Sequence, residues 1–195
     1  MRKAAVVMLA VLTLTGLSLA DGGQKSVAGK KQAGNQTSGW EYPVIKAAGP
    51  AWPMPHAAVQ PAKGKIYKVL VDLTQMPKDP KQPLLGLFHA SRTLNVFSTL
   101  GVPPKNIRMV AVFHGPASIA AMDNEVYKAK FGVDNPNIKI IEELKAAGVH
   151  LFLCGQALHQ LHFDEKDVQL PVQVATSAVV VMVVYQNDGY ALMPF

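Results

Sequence analysis

From Lys65 onward, short apolar runs alternate with stretches whose apolar positions recur every three or four residues, the pattern of strands and amphipathic helices in a doubly wound α/β domain. Residues 67–73 read as the first strand. Residues 74–83 form a loop in which Pro77, Pro80 and Pro83 prevent helix. The spacing of Leu84, Leu87, Phe88, Leu94, Phe97 and Leu100 predicts a helix over 84–100, with Gly101 at the left-handed cap. A second strand over 108–113 ends at His114-Gly115-Pro116, and a short helix follows through Met122. Another helix over 123–131 is ended by Gly132. Asn135-Pro136-Asn137 then opens a helix, with Asn135 as its cap, Ile138, Ile141, Leu144 and Ala147 as its inner face, and Gly148 as its stop.

Residues 149–153 form the third predicted strand, 156–161 a short helix and 172–175 a fourth strand. Residues 176–185 are apolar enough for either strand or helix; their length and the Thr176-Ser177 start favour a fully buried helix. Asn187-Asp188-Gly189 ends it, and 190–195 form a last short strand. The expected architecture is one α/β domain over 65–195 with about five strands in a mainly parallel sheet.

The first 64 residues lack this periodicity. Arg2 and Lys3 precede an apolar stretch over 4–19, and Ser18-Leu19-Ala20 offers small residues where signal peptidase reads, so residues 1–20 are expected to be a cleaved signal peptide. The stretch is short for a membrane span, and no stable span is expected after cleavage. The mature protein is expected to be periplasmic or secreted. Residues 21–64 read as linker and arm: a polar tether over 21–39, then an extended, proline-interrupted segment over 40–55. Trp40 and Trp52 suit that segment to lying across the domain or a neighbouring subunit.

The net charge of +6 changes little once it is placed along the chain. The leader carries two of these charges and residues 21–64 three, leaving +1 on 65–195. A nearly neutral domain with scattered basic residues argues against nucleic acid as a partner.

Chemistry centres on Cys154, the sole cysteine, placed where the third strand gives way to helix. Ligands of open α/β sheets collect outside the carboxyl ends of strands. A cysteine there is either a nucleophile or a small buried hydrophobe. Export sharpens the question, because no second thiol in the chain can pair with it. Gly155 and Gln156 start the helix whose N–H groups face the sulfur, and His114, ending the adjacent strand, is the candidate imidazole partner. Gly115 lets backbone approach a ligand, and Asn135 and Asn137 are candidate donors near the crevice. Asp72 and Thr74 are weaker candidates. His159 and His162 have a spacing that can align two imidazoles on a helix, yet a solvated helix face explains them better, so no metal is expected. The chain has no G-x-G-x-x-G, Walker, G-x-S-x-G, H-E-x-x-H or C-x-x-C motif, which removes the usual parts of nucleotide-binding, hydrolase, metalloprotease and thioredoxin-type sites. No cofactor is expected.

The order of an apolar first strand, His114-Gly115-Pro116, Asn135-Pro136-Asn137, Cys154-Gly155-Gln156 and the terminal Gln186-Asn187-Asp188-Gly189-Tyr190 resembles the DsrE/DsrF-like family, and its exported single-domain members in particular, over roughly 65–195. The resemblance implies a three-layer flavodoxin-like fold, a tendency to form homo- or hetero-oligomers, with a homo-oligomer expected for this chain, and a sulfur donor or acceptor protein as partner. It also implies a persulfide carried on Cys154. Two functions from different classes follow: a sulfur carrier or sulfurtransferase using Cys154, or a non-catalytic oligomeric binding module for a small molecule or protein.

Overall fold

The computed structural model describes residues 39–195, so the leader predicted for 1–20 and nearly all of the predicted tether lie outside the described residues. Five strands, β1 (Tyr67–Leu73), β2 (Ile107–Phe113), β3 (His150–Cys154), β4 (Gln173–Ala175) and β5 (Ala191–Pro194), pair in parallel in the order β4-β3-β2-β1-β5. The helices are α1 (Leu85–Thr99), α2 (Asn124–Phe131), α3 (Ile138–Ala146), α4 (Gly155–Gln160) and α5 (Ala178–Asn187). The segment after β2 is a 3₁₀ turn over Gly115–Ala121.

The strand order dictates which face each helix covers. Steps from β1 through β4 all move one way, so right-handed crossovers stack α1 and α3 on one face; the reversed step to β5 sends α5 to the other. Side-chain alternation matches. Val69, Val71 and Leu73 of β1 and Met109, Ala111 and Phe113 of β2 join Leu87, Leu94, Ile141 and Leu144 in the larger core, whereas Leu70, Val110 and Val112 meet Ala178 and Val181 of α5. Each leucine buried this fully contributes about 1.5–3 kcal/mol.

Local chemistry sets the boundaries. Asp123 caps α2 by accepting from Val126 N at 2.9 Å, and Gly132 closes it at φ 71°. Ser177 caps α5 by accepting from Val180 N. Two expectations need correction. Asn135 does not cap α3, whose preceding residue is Asn137; Asn135 is instead buried, its Nδ2 donating to Ala120 O and Met122 O and its Oδ1 accepting from Asn137 N. Backbone groups left unpaired by the irregular turn took its hydrogen-bonding capacity. Nor is α5 fully buried: only Ala178 and Val181 are, while Val179, Val180, Val183 and Val184 stand exposed. A single helix has just one face to turn toward the sheet.

Residues 41–51 lie against α1 and α3. The amide of Asn95, wholly buried in α1, accepts from Val44 N and Ile45 N and donates to Ile45 O and Gly49 O at 2.9–3.0 Å. Glu143 of α3 accepts from Lys46 N and Ala47 N. Ile45 and Ala51 are buried, and Glu41 and Ala51 pair as an antiparallel bridge. Gly49 approaches α1 so closely that an added Cβ would stand 2.3 Å from Arg92 N. On the opposite edge of the large core, the buried Tyr127 of α2 donates its phenol to Pro80 O at 2.8 Å, tying down the proline-rich loop after β1.

Asn95→Ala strands the peptide groups that its amide serves, so it should lower stability by about 2 kcal/mol in urea unfolding and speed proteolysis within 41–51. Unchanged stability and cleavage would show that the segment is held by its apolar contacts alone. Burial, and secondarily the charge of Asp79, raise the Tyr127 pKa above its ordinary 10.0. The folded state therefore holds that proton more tightly; the stabilisation is complete below 10.0 and disappears as pH rises through the raised value. Urea midpoints of the wild type should consequently fall more steeply above pH 10.0 than those of Tyr127→Phe, and parallel profiles would refute this.

Candidate functional site

At the carboxyl ends of the strands two features adjoin: a polar line of side chains on the α5 face, and an apolar cavity walled by the loops above the sheet. Both follow from register. Val112 sits beside Asp72 on one side and Phe152 on the other, and Phe113 beside Leu153. His114 continues extended at φ −154°, ψ 174°, which makes it the neighbour of Cys154. Alternation puts Asp72, His114 and Cys154 on the same face as Leu70 and Val112.

His114 Nε2 lies 2.5 Å from Asp72 Oδ1, and both side chains are partly exposed, at 26% and 16%. A carboxylate that holds one ring nitrogen fixes the orientation of the imidazole. The imidazole thus turns toward β1 and away from β3. Among the described residues no hydrogen bond joins it to Cys154.

Cys154 is the last residue of β3 and the residue preceding α4, but its side chain caps nothing. It is 6% exposed and packs with Leu70, Val110, Val112, Ala157, Ala178 and Val181. The thiol therefore sits in an aliphatic layer beneath α5. Gly155 packs backbone to backbone on β4, where an added Cβ would stand 2.9 Å from Ala175 O. Gln156 donates from Nε2 to Thr176 O, tying α4 to the approach to α5. Asn135 and Asn137 are turned inward: Asn137 is wholly buried, its Oδ1 accepting from Leu84 N at the entry to α1. Their amides bond to backbone groups and to each other, Asn137 Nδ2 donating to Asn135 Oδ1.

Gly115 alone of the predicted ligand-facing residues lines the cavity. Its φ of 54° lies in the left-handed region, where a side chain would strain the turn after β2. The cavity encloses about 630 Å³. Met76, Pro77 and Pro80 of the loop after β1 form one wall, Pro116 and Ile119 of the 3₁₀ turn the next, Phe131 of α2 a third, and Ala157, Leu161 and Phe163 the last. Lys78, Lys130 and Gln160 supply its polar groups. Ala157 touches both features, lining the cavity with one side and packing near Cys154 with the other. The size and apolar lining are those of a small-molecule site.

Sequence reasoning missed these walls because they come from four separate segments, each unremarkable alone. The usable signal was the proline-rich loop directly after a strand end, which lacks the glycines of a phosphate cradle but is stiff enough to hold a wall. His159 and His162 do not share a helical face: α4 stops at Gln160, and His162 takes φ 59°. Among the described residues no three His, Cys, Asp or Glu side chains gather as a metal site. No helix among them is long and apolar enough to cross a membrane.

Comparison with known proteins agrees with the architecture. A solved structure from Methanobacterium thermoautotrophicum, the protein of unknown function MTH1491, is 19% identical; the match covers 66% of this chain and 99% of that one with a TM-score of 0.50, a likeness of fold. No curated protein matches the chain. The family model for the DsrE/DsrF-like family matches residues 69–195, from within β1 to residue 195, and the chain belongs to that family.

Proposed function

We propose that this chain is an exported DsrE-like binding module that works as a homo-oligomer and takes a small molecule into the cavity at the carboxyl ends of its strands. One contrast carries the reading: the cavity is formed and apolar, whereas the sole thiol is packed among aliphatic side chains. Export rests on Arg2, Lys3, the apolar stretch over 4–19 and the Ser18-Leu19-Ala20 site. Self-association rests on α5, where Val179, Val180, Val183 and Val184 form one exposed stripe beside the exposed Leu192 of β5.

A second reading, a sulfur carrier or sulfurtransferase, is favoured by the position of Cys154 at a strand end beside the Asp72-His114 pair and by family membership. In that chemistry the thiolate attacks a sulfane sulfur of a persulfide or polysulfide donor. A bond forms between Cys154 Sγ and that sulfur as the donor's S–S bond breaks, and the electron pair leaves with the donor thiolate. Movement of the start of α5, where Ala178 packs over the thiol, away from Cys154 is required before a donor reaches the sulfur.

The two readings separate in one set of measurements. A neutral naphthylamine fluorophore should bind the mature protein saturably, lose binding in Leu161→Trp, whose bulk fills the cavity from a partly exposed rim position, and keep it in Cys154→Ala. Intact mass after polysulfide treatment should show a chain beginning at Asp21 with no added sulfur. Sulfur gained by the wild type and absent from Cys154→Ala would establish the carrier instead. For assembly, sedimentation at micromolar concentration should show an oligomer that Val183→Glu with Val184→Glu dissociates; because both side chains are half exposed, the protomer should keep its fold. A monomeric wild type would remove the oligomer from the proposal.

A further inference from the structure

We infer that the cavity takes a dissolved amphipathic anion: an apolar chain or ring that ends in a single carboxylate or sulfonate. This assignment rests on the binding reading above and adds to it the chemical class of the ligand. The interior offers methionine, proline, isoleucine, leucine and phenylalanine surface, so whatever fills it must shed water from an apolar body. A multiply charged ligand would lose more hydration in that interior than its few polar groups could return.

The charged residues of the lining are both cations, Lys78 and Lys130, and no carboxylate shares the lining with them. Both ammonium groups belong to exposed residues at the mouth. Neighbouring charges do not neutralise them. Lys128 is paired with Asp134 at 3.1 Å, whereas Lys130 has no carboxylate within ion-pair distance among the described residues and stands over the ring of Phe131, a wall residue. Lys78 likewise has no carboxylate within ion-pair distance among the described residues; adjacent Asp79 accepts from Lys81 N at 2.9 Å. An apolar tail inside with an anionic head at the two lysines is the arrangement that satisfies both parts of the site. The head stays partly hydrated at the mouth, which keeps its desolvation cost small.

The test is displacement of the naphthylamine fluorophore from the mature protein by decanoate, decanol and decylammonium. Decanoate should bind about tenfold tighter than decanol, with decylammonium weakest, and Lys78→Gln with Lys130→Gln should bring decanoate down to decanol. Equal affinity of decanoate and decanol, or indifference of decanoate to the double substitution, overturns the anion assignment while retained fluorophore binding keeps the cavity as a site. Failure of the fluorophore and of all three decyl probes overturns the binding reading and this assignment together.

Discussion

A parallel sheet must be shielded from water on both faces, and here the two faces are shielded unequally. Three successive crossovers advance in one direction and stack α1 and α3 against β1, β2 and β3, with residues 41–51 packed outside them. The single reversed crossover leaves α5 as the principal cover of the other face. That asymmetry governs the rest. It makes one core large and one thin, it places the sole cysteine in the thin one, and it obliges a helix that is apolar on every side to present valines to solvent.

The same asymmetry separates chemistry from binding space. Alternation along the strands sends Asp72, His114 and Cys154 toward α5, while the loops that lengthen the first three crossovers rise above the strand ends and enclose the cavity. The thiol in the thin layer is covered by Ala178 and Val181, so its access to solvent depends on how α5 sits and not on the composition of the pocket. The imidazole nearest to it in register is already engaged by Asp72. Among the described residues only Ala157 touches both regions, and it has no group with which to pass a proton or a charge between them.

Much of this was legible in the residues. The strand at 67–73, the left-handed stops at Gly132 and Gly148, and the helix start after Ser177 each follow from a local rule that tertiary structure did not override. What failed to read through was partnership over distance. Asn135 has the chemistry of a cap, but the turn at 120–122 holds two carbonyls that claim its amide. The half exposure of α5 depends on how many helices share a face, a property of strand order that local periodicity does not contain. The pocket walls were invisible for a related reason: Met76, Ile119, Phe131 and Leu161 acquire a common purpose only when the strand ends align.

Charge distribution bears on how the cavity selects. Residues 65–195 carry a net charge of +1, so no broad positive field draws anions to the domain, and a preference for one at the strand ends must come from groups close to it. At physiological ionic strength exposed charges are screened beyond about 8 Å, which leaves Lys78 and Lys130 as the cations lining the mouth. Their contribution is correspondingly small against the apolar burial available inside. The cavity's affinity is therefore set by its walls and its discrimination by its rim, a division that allows many apolar bodies to enter while favouring those whose charged end emerges beside the two lysines.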